Sequence, residues 1–336
     1  MKIVIFGAGS IGCYVGGKLS VHNPDVTFLG RERIQKVIQT NGLTLSHYEL
    51  PEVKIKAEDI NYTTDLGCLR EADLILLCVK SQDTLTAILQ IKQEANPKTT
   101  VVSLQNGVQN PDLLKIHLPG WKTACGMVPY NVINKGNGHF HCGTEGELVF
   151  ERSYETGLLA QQCKQAGLPT LQSDNISGVL WGKLLLNLNN ALNVLSGRPL
   201  KEQLANKTYR LILATCIEEA MSVLKVANIK PEKIGKTKPQ QMLKILRLPN
   251  FLFTPVANTR IKIDPLARSS MWEDLQAGRG TEIDYINGAI IKLAKTHKKK
   301  APVNQRVVEL VKEAFAHGKS PAYSGEELLE LLPIKK

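Results

Sequence analysis

Aromatic residues are scarce in this sequence: tryptophan, tyrosine and phenylalanine fill only 5% of its 336 positions. That scarcity argues against a surface that stacks nucleic-acid bases, and no nucleic-acid partner is expected. Long apolar runs are lacking too. None approaches the roughly 20 residues that cross a bilayer, and the N-terminal MKIVIF breaks at Gly7, too early for a signal peptide. No membrane partner is expected. No Cys-x-x-Cys pair occurs among the seven cysteines, and several sit in apolar stretches such as LILLCV. Reduced, structural thiols in a cytoplasmic protein are the expectation. Carboxylates and histidines form no cluster at metal-ligand spacing, so no metal is expected.

Charge is present but unevenly placed. The formal net charge is +11; residues 1–174 hold 16 lysines and arginines against 17 acids, and residues 175–336 hold 26 against 14. Lys298-Lys299-Lys300 is the one tight basic run. A solvated basic face accounts for such an excess, and so does steering of a small anion into a cleft.

The first half alternates short apolar runs with helical patterns. KIVIF (2–6), DVTFL (25–29), ADLILLCV (72–79) and TTVVSLQ (99–105) predict strands buried on both faces, hence a parallel sheet with crossover helices. KTACGMV (122–128) adds a further strand, and GHFHCG with ELVFE (138–151) reads as a closing antiparallel hairpin. Beyond residue 174 the apolar spacing is helical, in stretches such as TYRLILATCIEEAMSVLKVA and NQRVVELVKEAFAH. The expected organisation is α/β: a nucleotide-binding domain over residues 1–174, then an all-α domain over 175–336.

KIVIF runs directly into Gly7-Ala8-Gly9-Ser10-Ile11-Gly12 and a helical CYVGGKL. A G-x-G-x-x-G carries weight only in this context, after a first strand and opening a helix. Gly7 permits the tight turn, Gly9 lets the backbone approach a pyrophosphate, and Gly12 lets helix and strand pack closely. The stretch therefore predicts a Rossmann-type dinucleotide site. At the end of the second strand an NAD site carries an acid for the ribose 2′-hydroxyl, whereas this sequence reads Leu29-Gly30-Arg31-Glu32-Arg33. Arg31 can fork onto a 2′-phosphate, which points to NADP(H).

WGKLLLNLNNALNVLSG (181–197) is a leucine-rich helix that holds one lysine and four asparagines. At 100° per residue, Lys183, Asn187 and Asn190 fall within about 60° of one another, while Asn189 and Asn193 project elsewhere. Ser270 and Glu273 read as a capping box. Thr281 reads as an N-cap, with Glu282 a first-turn acid.

Together, GAGSIG, Arg31, CVKSQD, LQNG, WGKLLLN and SSMWEDLQAGRGTEIDYING resemble the ketopantoate reductases, in order along nearly the whole chain. These are NADPH-dependent 2-dehydropantoate 2-reductases of pantothenate biosynthesis. The resemblance implies an active site in the cleft between a Rossmann-type domain and a helical one. It implies that Lys80 and Asn106, at strand ends, contact cofactor, with Asn106 also near the reacting carbonyl. It makes Lys183 the proton donor and Glu282 the second catalytic-site residue. It also implies that Asn187, Asn190 and Ser270 orient the substrate. Two departures stand out: the family's asparagine at lysine plus eight is Ala191 here, and a later substrate-contacting asparagine is replaced near Leu200.

The expected function is reduction of ketopantoate to pantoate. The alternatives are a related NADP-dependent 2-keto or 3-hydroxy acid dehydrogenase, and a non-catalytic NADP(H)-binding regulatory protein. Oligomeric state stays open, a homodimer included.

Overall fold

The computed structural model describes residues 1–233, 237–260 (backbone alone for 256–260) and 267–334. It divides into two compact units, Met1–Ile176 and Ser177–Lys336.

The first unit runs β1 (Ile3–Phe6), α1 (Ser10–Ser20), β2 (Val26–Leu29), α2 (Glu32–Asn41), β3 (Leu43–His47), β4 (Val53–Ile55) and β5 (Asn61–Thr63). It continues through β6 (Leu74–Leu77), α3 (Thr84–Glu94), β7 (Thr100–Ser103), α4 (Asn110–His117) and β8 (Thr123–Met127). It ends with β9 (Val132–Gly136), β10 (His139–Cys142), β11 (Leu148–Glu151), α5 (Tyr154–Gln165) and β12 (Thr170–Ser173). Eight strands form one sheet in the order β12-β11-β8-β7-β6-β1-β2-β5, parallel except where β11 meets β8. The continuous apolar runs are buried along their whole length in β1, β6 and β7, as a sheet covered on both faces requires.

The order places β1 between β2 and β6. The chain leaves β1 toward β2 on one side and later returns to β6 on the other. That reversal opens a crevice at the carboxyl ends of the strands, where ligands bind in open parallel sheets. Gly7, Arg31, Lys80 and Asn106 each follow the end of one of these parallel strands.

The hairpin expected over 138–151 does not form. His139–Cys142 pairs antiparallel with β9 and parallel with β3, in a second sheet ordered β4-β3-β10-β9. Leu148–Glu151 pairs instead with β8 and β12 in the main sheet. The reversal lies one element earlier, at Asn137 (φ 48°) and Gly138 (φ 74°). Both residues adopt the left-handed conformation that an Asn-Gly turn between strands calls for. Gly-Thr-Glu-Gly then links one sheet to the other. The sequences of β3, β4, β5, β9 and β12 show no continuous apolar run.

The second unit is built from α6 (Ile176–Asn187), α7 (Asn189–Ser196), α8 (Leu200–Ala205), α9 (Lys207–Val226), α10 (Pro239–Leu246) and α11 (Asn250–Arg260). α12 (Ser270–Gln276), α13 (Asn287–Thr296), α14 (Pro302–Ala316) and α15 (Gly325–Glu330) complete it. Arg210, fully buried on α9, ties three helix ends together. Its guanidinium donates to the carbonyls of Leu204, Ala205, Leu246 and Leu248 and to Asn250 Oδ1, at 2.7–3.1 Å, and lies over the Phe253 ring. All five donors are thereby used, chiefly on backbone carbonyls at or just past helix ends.

Candidate active site

The phosphate loop is built as the motif demands. Gly7 has φ of +107°, and a Cβ there would lie 2.5 Å from Val79 N. A Cβ on Gly12 would meet Gly7 O at 2.3 Å, so helix and strand pack as closely as glycine allows. At Gly9 an added Cβ meets nothing within 4 Å, which is open approach for a ligand. α1 begins here with no side-chain cap, so its first backbone N–H groups are available to an anion. These features fit a dinucleotide pyrophosphate.

The end of β2 excludes a side chain where an NAD site carries its acid. A Cβ on Gly30 would lie 2.3 Å from the Tyr62 hydroxyl and 2.8 Å from Ala8 Cβ. Tyr62 stacks on Phe28 and donates to the Arg31 carbonyl at 3.1 Å. The next residue, Arg31, is exposed and ion-paired to Asp83 at 3.5 Å.

The two following strand ends are tied to each other. Ser81 Oγ donates to Asn106 O at 3.0 Å, and Asn110 Nδ2 donates to the same carbonyl at 2.8 Å. Gln105 Nε2 donates to Val79 O at 3.0 Å and to Thr84 Oγ1 at 2.7 Å. These bonds set the loops that carry Lys80 and Asn106 side by side.

In the helical unit, the leucine-rich stretch is two helices rather than one. α6 ends at Asn187 and α7 begins at Asn189, while Leu188 between them keeps helical dihedrals (φ −55°, ψ −26°) and donates its N–H to Leu184 O at 3.1 Å. The four asparagines divide by job. Asn189 Oδ1 accepts from Gln203 Nε2 at 2.8 Å. Asn193 Nδ2 donates to Arg198 O at 2.8 Å and to Gln203 Oε1 at 3.0 Å, while its Oδ1 accepts from Ser269 N at 2.9 Å. Both side chains are buried, and both act as internal struts. Asn187 and Asn190 are half-buried, and among the described residues no hydrogen bond engages either side-chain amide.

Asn190 is nevertheless placed. Its carbonyl accepts from Ser269 Oγ at 3.3 Å, which brings α7 against the start of α12. The N-cap of α12 is Ser269, whose Oγ accepts from Trp272 N at 3.2 Å. Ser270 is therefore the first helical residue and not the cap, contrary to the capping-box reading. Moving the cap by one residue releases the Ser270 hydroxyl from that duty.

Lys183 is half-buried on α6. Loss of water around it lowers its ammonium pKa from 10.5 to about 8, against the opposing pull of the Glu282 carboxylate. The 99 positions between them are thus closed by the fold. Glu282 is only 5% exposed and precedes a single 3-10 turn, Ile283–Tyr285, rather than opening an α-helix; α13 begins at Asn287. Thr281 Oγ1 accepts from Ile283 N at 3.1 Å, a local turn that orients the segment. A buried carboxylate beside a partly desolvated lysine has two consequences. It keeps the ammonium charged near neutral pH, yet leaves it willing to give up a proton.

The model for the family described as Ketopantoate reductase PanE/ApbA matches residues 3–154, and the model for its C-terminal part matches residues 175–315. The chain belongs to the ketopantoate reductase family. Among its relatives, the 2-dehydropantoate 2-reductase of Pyrococcus horikoshii is 30% identical over 318 residues, covering 93% of this chain and 97% of the relative. A PanE/ApbA family ketopantoate reductase from Ralstonia eutropha has the same fold, with a TM-score of 0.80 at 30% identity over 95% of this chain and 99% of that one. The fold is also that of a D-mandelate dehydrogenase solved with NADH and anilino(oxo)acetate, with a TM-score of 0.78 at 23% identity, covering 95% and 99%. Membership makes this chain an oxidoreductase by family.

Measured against that family's pattern, Ala191 is fully buried on α7, and Leu200 opens α8. Sequence reasoning passed over Ser269, Gln203, Tyr62 and Asp83. The first of these had a signal, since either serine of the Ser-Ser pair can cap. The partners of the other three come from 10 to 52 positions away, with no spacing rule to announce them.

Proposed function

We propose that this protein reduces ketopantoate (2-dehydropantoate) to pantoate with NADPH. The observation that carries the reading is Lys183, held near a pKa of about 8 between desolvation and the Glu282 carboxylate. A bound nicotinamide supplies the hydride to the keto carbon. Lys183 donates the proton that the developing alkoxide requires, and Glu282 keeps that ammonium charged between turnovers. The Ser270 hydroxyl and the Asn187 and Asn190 amides orient the carboxylate and hydroxyl of the substrate. The loop from Gly7 to Gly12, including Ala8, Ser10 and Ile11, binds pyrophosphate through backbone N–H groups. Arg31 takes the 2′-phosphate, and Lys80 and Asn106 meet the cofactor at the strand ends. The seven free thiols support a reducing, cytoplasmic setting.

The test is NADPH oxidation by purified protein across a panel of 2-keto acids. Turnover of ketopantoate well above that of pyruvate, 2-ketoisovalerate and phenylglyoxylate is the expected result. A second reading, reduction of another 2-keto acid, is favoured by buried Ala191 where the family carries an asparagine, and by the D-mandelate dehydrogenase fold relative. It predicts that phenylglyoxylate or 2-ketoisovalerate outruns ketopantoate.

A further inference from the structure

We propose that Asp83 is a specificity-determining residue for the cofactor: its carboxylate competes with a 2′-phosphate for the Arg31 guanidinium and so limits the preference for a phosphorylated dinucleotide. The proposal rests on the NADP(H) reading above. Arg31 caps α2 at the carboxyl end of β2, while Asp83 closes the 3-10 turn Ser81–Asp83 that follows β6. β2 and β6 flank β1 on either side, so the Arg31–Asp83 pair joins the two strands that border the phosphate loop.

Three features separate this pair from an ordinary surface contact. Asp83 precedes α3 but makes no side-chain cap bond there, so its carboxylate oxygens are not held by the helix backbone. The neighbouring acid, Glu32, is engaged by Lys36 at 2.8 Å, one turn along α2, which leaves Asp83 as the acid that meets Arg31. The pair is long, at 3.5 Å, and Arg31 is 83% exposed, so the interaction is weak and a phosphate can displace it. A phosphate takes a guanidinium through two parallel charge-assisted hydrogen bonds, which an exposed carboxylate at that separation does not match. The displaced carboxylate stays close to the incoming dianion and repels it. Across a water-like dielectric, a repulsion of this kind weakens binding by about three- to tenfold. A dinucleotide without the 2′-phosphate meets no such penalty.

The experiment titrates adenosine 2′,5′-bisphosphate and adenosine 5′-monophosphate into the full chain by calorimetry, comparing wild type, Asp83→Asn and Arg31→Ala. Asparagine caps helices as well as aspartate does, so α3 is preserved; Asp83→Ser serves as a second variant should the first melt early. The expected result is that Asp83→Asn binds the bisphosphate about three- to tenfold tighter and the monophosphate unchanged, with the gain shrinking at high salt. Wild type preferring the bisphosphate, Arg31→Ala losing that preference, and Asp83→Asn changing nothing would overturn the role of Asp83 and leave the NADP(H) reading intact. A preference absent in wild type but present in Asp83→Asn would support the role of Asp83 and refute the NADP(H) preference of the native chain. Absence in both would overturn both.

Discussion

Glu282→Gln is the most direct probe of the proposed chemistry, because it removes a charge and almost no volume. In the native chain two effects act on Lys183. Desolvation lowers its pKa and the Glu282 carboxylate raises it, with about 8 as the result. Relative to an ordinary lysine at 10.5, proton release is easier by roughly 3 kcal/mol. A general acid works in its protonated form, so kcat/KM in the reductive direction should be level below about pH 8 and fall about tenfold per pH unit above it. Glutamine deletes the raising influence and leaves the desolvation in place, so the break must move to lower pH. Below the new break the variant should retain much of its rate; at pH 8 and above it should lose progressively more than wild type. The assay is the initial rate of NADPH oxidation with subsaturating keto acid, from pH 5.5 to 9.5, for both proteins. A break that stays near pH 8 while the rate drops uniformly would refute the electrostatic role of Glu282. A break that moves upward would refute the assignment of Lys183 as the acid.

Four other outcomes follow from the geometry. Lys183→Ala should lower kcat by roughly 10²–10⁴-fold while leaving NADPH affinity, measured by fluorescence titration, nearly unchanged. Asn193→Ala strips partners from Ser269 N, Arg198 O and Gln203 Oε1 and should destabilise the fold by about 2–3 kcal/mol in chemical denaturation. Asn187→Ala should leave that denaturation curve in place and raise KM or lower kcat. Arg210→Lys should cost about 3–5 kcal/mol and lower the Tm by calorimetry, because an ammonium has three donors where the guanidinium uses five.

Legibility followed the range of the physical cause. β1 and β6 could be read directly because burial on both faces imposes an uninterrupted apolar run on four residues at a time, and β2 (VTFL) and β7 (TVVS) depart from it only by threonine and serine. The phosphate loop was equally plain, since its steric demands fall within six consecutive residues, from Gly7 to Gly12. The second sheet was hidden because its strands are incompletely buried: β10 buries only Phe140 and Cys142, and β4 and β9 bury no residue fully. Its Asn137-Gly138 turn was in view, yet the nearby glycines at 143 and 146 made a later hairpin look just as reasonable.

The leucine-rich stretch shows where a periodic reading stops. Counting angles separated Asn189 and Asn193 from Lys183 and Asn187, and the structure gives that division a cause: the first two are buried and hydrogen-bonded within the helical unit. The same count runs on to Asn190 through Leu188, which keeps helical dihedrals between α6 and α7. What places Asn190 is a tertiary bond, its carbonyl accepting from Ser269, the residue that also caps α12. That arrangement explains how a serine pair can serve two masters. Ser269 holds the helix end and locks α7 against it, and Ser270 is left with a hydroxyl that the helix does not need. The register question at lysine plus eight becomes one of packing: Ala191 is fully buried, whereas Asn190 is half-buried with an amide that meets no hydrogen-bonding partner among the described residues. A fully buried amide is costly unless a partner meets it, and a half-buried amide left unpaired is suited to a ligand that can pair with it. Asn190, rather than the residue after it, is therefore where a change to aspartate or leucine should redirect the choice of keto acid without unfolding the protein.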